Sequence, residues 1–112
     1  MVTSIFANPG QTVTMGLQVT DSTGALHDGY QSPTVDFVSM PDGSMAAGYP
    51  TTMIEIVTGV WKHSLTIPSG KTGVGSYLVS CSWPHPDTAV FQNEIFILNV
   101  ALPFGNTSIS PG

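Results

Sequence analysis

Three histidines, seven carboxylates and one thiol are the groups in this 112-residue chain that could move protons, hold a metal or attack an electrophile. Their spacing argues against each chemistry in turn. His27-Asp28, His63 and His85 fall in different stretches, and no two form the His-x-Glu or Cys-x-x-Cys spacing that closes a zinc site. His85-Pro86-Asp87 copies a co-chaperone tripeptide that works between two helices, and no helical period flanks it here. Serine is plentiful, yet no Gly-x-Ser-x-Gly elbow occurs, and Gly73-Val74-Gly75-Ser76 reads as a turn into a strand. Gly70-Lys71-Thr72 matches the end of a phosphate loop, but Leu65 stands where that loop needs its first glycine. No catalytic, metal or cofactor-binding residue is therefore assigned, and the chain is read as a non-enzyme without a cofactor.

Cys81 is the sole cysteine, so an intrachain disulfide is impossible. In Leu78-Val79-Ser80-Cys81-Ser82-Trp83 it reads as a small buried apolar residue rather than a reactive thiol. Aromatic residues offer a different chemistry, the stacking of sugar rings. Trp61, Tyr77 and Trp83 lie in alternating segments and are expected in the core, whereas Tyr30 and Tyr49 lie in loops. Methionines at or near loops, such as Met40 and Met45, suit soft protein contacts. The residues assigned to partner contact are Tyr30, Met45, Tyr49, Phe104 and Ile109.

Charge narrows the partners. Only 8% of residues are charged, against about 25% in an ordinary soluble domain. With two lysines, no arginine and a net charge of −5, the chain cannot neutralise a run of phosphates, and an anionic membrane surface is equally disfavoured. Solubility must rest on hydroxyls and amides. Such a surface desolvates cheaply and suits packing against another protein, and it equally fits a plain low-charge module. The N-terminus has neither a basic region nor a long apolar run, so no signal peptide is read. Without one, the glycosylation acceptor Asn106-Thr107-Ser108 carries little meaning.

The elements that would position these residues are strands. Gln11 to Asp21 alternates: Val13, Met15, Leu17 and Val19 on one side, Thr12, Thr14, Gly16, Gln18 and Thr20 on the other. That period of two marks a half-buried strand. Further strands are expected at Thr3 to Ala7, Pro33 to Met40 with Val35 and Phe37 inward, and Thr51 to Val57 with Ile54 and Ile56 on one side. Val60 to Ile67 follows with Trp61, His63, Leu65 and Ile67 aligned, then Gly75 to Trp83. The last, Val90 to Val100, is apolar on both sides near Ile95 to Leu98, as for a central strand or an edge that meets a partner. Turn residues such as Asn8-Pro9-Gly10, Asp21 to Gly24 and Pro41-Asp42-Gly43 separate them. Seven strands at this spacing predict a single all-β, antiparallel sandwich over residues 1–100, with an extended C-terminal arm over 101–112.

Two stretches carry a family likeness. Pro9-Gly10-Gln11-Thr12-Val13-Thr14 with Leu17-Gln18-Val19-Thr20-Asp21 resembles the opening strands of immunoglobulin-like modules of the macroglobulin or bacterial type. Gly59-Val60-Trp61, Leu65-Thr66-Ile67-Pro68 and Gly75-Ser76-Tyr77-Leu78-Val79 are similar to their closing half, without the Cys-Trp-Cys core of antibody domains. The resemblance spans about residues 8–100 and implies a binding or structural role. Such modules occur in adhesins, as accessory domains of carbohydrate-active enzymes, and in bacteriophage virions. The expectation drawn from it is a virion protein that decorates or cements a capsid, contacts the major capsid or other virion proteins, and forms a homo-oligomer. A tail or fibre component, or a carbohydrate- or receptor-binding module, is the alternative.

Overall fold

The computed structural model describes residues 2–27 and 31–102. Its strands are β1 (Val2–Ala7), β2 (Thr12–Gln18), β3 (Thr34–Ser39), β4 (Thr51–Thr52), β5 (Ile54–Val57), β6 (Val60–Thr66), β7 (Gly75–Pro84) and β8 (Phe91–Val100). They form a five-stranded sheet in the order β1-β8-β7-β3-β4 and a three-stranded sheet in the order β2-β6-β5. Among the described residues the helical structure is one 3-10 turn, Gly70–Gly73.

The alternation in β2 does what its period requires. Val13, Met15 and Leu17 turn inward opposite Leu65, His63 and Trp61 of β6, while Thr12 and Thr14 turn outward. There they meet Thr66 and Ser64, hydroxyl to hydroxyl, at 3.0 and 2.9 Å. The opposing sheet supplies Val35, Val38, Tyr77, Val79, Cys81, Phe96, Leu98 and Val100 to the same core cluster. Each such aliphatic or aromatic side chain stabilises the fold by about 1.5–3 kcal/mol on burial.

Three expectations are corrected. The first strand does not pair antiparallel: β1 runs parallel to β8, from Val2 beside Ile95 to Ala7 beside Val100, so the sheet is mixed and the strands number eight. Phe37 does not face inward with Val35. The β3–β7 register shifts at Asp36, and this bulge puts two residues where the partner strand has one. Val38 is thereby fully buried, while Phe37 is turned out and 38% exposed. Finally, Thr51 to Val57 is not one strand. Thr51–Thr52 pairs with β3, Ile54–Val57 pairs with β6, and the chain changes sheets at Met53. The Met53 amide still donates to Pro33 O at 2.9 Å, and its side chain is buried between the layers. Ile54, Ile56 and Val57 consequently line an outer edge and are all exposed.

One corner is unusually well specified. The Tyr77 hydroxyl, 1% exposed at the residue level, reaches back four residues to donate to Gly73 O at 3.0 Å. Gly73 lies so close to the preceding segment that a Cβ there would sit 2.0 Å from Pro68 O. The β7–β8 hairpin is closed by His85 N to Val90 O and Ala89 N to His85 O, both 2.9 Å. His85-Pro86-Asp87 is thus a hairpin loop, in which the Asp87 amide donates to His85 Nδ1 at 3.1 Å.

Candidate docking face and cleft

The pleat of the larger sheet sends every second residue away from the core. On β1 these are Val2, Ser4 and Phe6; on β8 Phe91, Asn93, Ile95, Ile97 and Asn99; on β7 Leu78, Ser80 and Ser82; on β3 Phe37 and Ser39. Register aligns them in rows. Phe37, Ser80, Ile95 and Val2 form one row across four strands, and Ser39, Leu78, Ile97 and Ser4 form the next. Phe6 is 81% exposed, and Val2 and Phe91 are each more than half exposed. Asp36 is the charged residue on this face among the described residues, and its carboxylate accepts a 3.0 Å hydrogen bond from Ser82 Oγ.

The outer side of the smaller sheet is different in kind. Its β2–β6 half is the hydroxyl ladder of Thr12, Thr14, Ser64 and Thr66, followed by Gly16 beside Lys62. Paired hydroxyls satisfy each other and still bond water, so this half is at ease in solvent. Apolar residues return at Val60, beside Gln18, and on the bulged edge strand β5, which also carries Glu55. The larger sheet thus carries apolar residues on both sides, and among the described residues its outer side is not covered by a further layer.

A second feature lies where the sheets part. Thr3 of β1, Gly16 to Gln18 of β2, nearby Thr20, Trp83 of β7 and Gln92 to Glu94 of β8 line an open cleft of about 610 Å³. Glu94 is 8% exposed there, and Oε2 of its carboxylate accepts a 2.7 Å hydrogen bond from the Thr3 hydroxyl. Trp83 is half-buried in this wall, whereas Trp61 is core at 7% exposure, with its indole N–H buried and without a hydrogen-bond partner among the described residues.

The titratable groups are dispersed. His63 on β6 lies 2.7 Å from the Tyr49 hydroxyl, ring to ring at 5.5 Å and nearly perpendicular. Burial lowers the His63 pKa and raises that of Tyr49. Burial, then the Asp36 and Glu94 charges, push the Cys81 thiol up to about 12. Hydrogen bonds from Ser22 hold Asp87 below the ordinary carboxylate value, which ties the Asp21–Gly24 turn to the hairpin loop. Among the described residues no three His, Cys, Asp or Glu side chains converge on a point where a metal could sit.

Of the residues assigned to partner contact, Met45 is 63% exposed in the loop after β3, while Tyr49 is half-buried and engaged with His63. Tyr49 thereby ties that loop to β6. Tyr30, Phe104 and Ile109 lie outside the described residues, as does the C-terminal arm from 103 onward. Val2, Phe6, Phe37 and Phe91 are exposed and Ile97 is half-buried on the outer face of the larger sheet, and the contact assignment omits all five. The doubly apolar pattern of Ile95 to Leu98 was the available signal, and β8 is indeed a central strand. Compared with protein-family models, curated proteins and solved structures, the chain matches none.

Proposed function

We propose that this chain is an immunoglobulin-like structural module that works by docking, and that it decorates or cements a virion. The observation that carries the docking reading is the outer face of the larger sheet: four strands wide, rich in phenylalanine and isoleucine, with one acid and no base among the described residues. Two features support the immunoglobulin-like reading. The first strand pairs in parallel with the last, and the Tyr77 hydroxyl bonds back to the corner before its strand, as the tyrosine corner of such domains does. Val79 occupies the place two residues after that tyrosine where antibody domains carry their second cysteine.

The partner is a protein surface that is flat, apolar and neutral to weakly basic. A net charge of −5 makes a second acidic copy a poorer occupant than a basic or neutral one. Repeated over a shell, even a modest contact holds neighbouring subunits together by multivalency.

Mass spectrometry of purified particles from the source of this chain tests the location; absence from them removes the virion reading. Co-sedimentation with those particles tests the face. Phe6→Ser with Phe91→Ser is expected to weaken binding by about tenfold or more, since each ring buries on docking. Thr14→Lys on the hydroxyl face leaves it unchanged. Loss of binding in Ile54→Ser, with none in the phenylalanine variant, would move the docking surface to the β5 edge. A sedimentation shift to dimer that the phenylalanine variant abolishes would replace the heterologous partner by self-association.

A further inference from the structure

We propose that the cleft between β1–β8 and the free edge of β2 binds a neutral sugar ring, a role separate from docking by the outer face. The argument starts from what lines it. Trp83 supplies a broad apolar surface, Glu94 a carboxylate, Gln18 and Gln92 primary amides, and Thr3 and Thr20 hydroxyls. A pyranose has one apolar C–H face and a rim of vicinal hydroxyls. The indole matches the first; a carboxylate and amides match the second, because each vicinal pair can donate to one oxygen and accept from one N–H.

The same inventory disfavours other ligands. No lysine, arginine or histidine lines the cleft, so a phosphate or carboxylate would meet Glu94 without a compensating cation. A wholly apolar guest would strip water from the Glu94 carboxylate and the amides and give nothing back.

Position is held before any ligand arrives. The Thr3 hydroxyl donates to Glu94 Oε2 at 2.7 Å, fixing a carboxylate that is otherwise buried at the floor. Trp83 and Gln92 are register partners on β7 and β8, so the apolar wall and an amide sit on adjacent rigid strands. The cleft volume of about 610 Å³ admits a monosaccharide with room for its neighbours in a chain.

The test uses the full chain, ¹⁵N-labelled, titrated with the methyl glycosides of glucose, galactose, mannose and N-acetylglucosamine, alongside a glycan array. The expected result is a saturable shift of the Trp83 indole N–H and the Gln18 and Gln92 side-chain amides for at least one sugar, with Kd on the order of 1 mM. Trp83→Ala is expected to weaken that sugar at least about tenfold. Gln92→Ala and Gln18→Ala, at the rim, are expected to weaken it too and answer the case in which the tryptophan variant fails to fold. Phe6→Ser with Phe91→Ser leaves sugar binding intact, which separates this proposal from the docking one. No saturable shift with any of the four glycosides and an empty array would overturn it, as would binding indifferent to Trp83 and Gln92.

Discussion

Tyr77→Phe removes one oxygen and nothing else, which makes it a sharp test of how the corner before β7 is held. The hydroxyl donates to Gly73 O at 3.0 Å from a side chain that is 1% exposed, and Gly73 itself is buried. A net hydrogen bond contributes about 1 kcal/mol, and leaving a buried carbonyl without its donor costs about 1–3 kcal/mol. The two overlap, so a loss of about 2 kcal/mol is expected. Against a total of about 5–15 kcal/mol this is a large fraction, and in a domain of this size it lowers Tm by about 10 °C. Urea unfolding followed by fluorescence of buried Trp61 measures it; the midpoint falls and the slope with denaturant stays the same. A Tyr77→Phe protein within about 0.5 kcal/mol of the parent would refute the claim that this bond is the corner's fastener.

Two further outcomes follow from the ionisable groups. Cys81 is buried and its thiol is pushed up to about 12, so maleimide is expected to label the native protein far more slowly than the urea-unfolded chain; fast labelling of native protein would contradict its burial. His63 is lowered by burial from its ordinary 6.5, so the folded state prefers the neutral ring. Its contribution is complete above 6.5 and is lost as pH falls through the lower folded value, whereas Asp21, Asp42 and Asp87, held below 3.8, give way only in stronger acid. Stability measured against pH should show the upper step in the parent and lose it in His63→Gln.

Much of the architecture was legible because alternation is a local code. Val13 to Leu17 and Tyr77 to Cys81 point where their period says, and Phe96, Leu98 and Val100 fill the core as their spacing requires. What escaped depends on the partner strand. Asp36 looks like any polar strand residue until the register against β7 shows it to be the extra one, and that insertion exchanges Phe37 for Val38 in the core. Met53 carries no turn residue to announce a change of sheet. Pairing with β3 on one side and β6 on the other decides it. Trp83 keeps the same parity as Tyr77 and Cys81, yet lies where the layers separate, so one pattern yields core at one end and cleft at the other. The apolar outer face is half visible in the sequence: Ile95 and Ile97 stand out in a doubly apolar strand, but Val2 and Phe6 join them only through a parallel pairing that spans 93 positions.

That parallel pairing also sets how the molecule would carry a load. Because Val2 lies beside Ile95 and Ala7 beside Val100, β1 starts midway along β8 and the two strands end side by side, about 17 Å further along. Tension between Val2 and Val100 pulls β1 and β8 lengthwise past each other. All their rungs resist together, where an antiparallel hairpin pulled at its ends would unzip one rung at a time. The strand pair is a shear joint, in which the load is shared along its length.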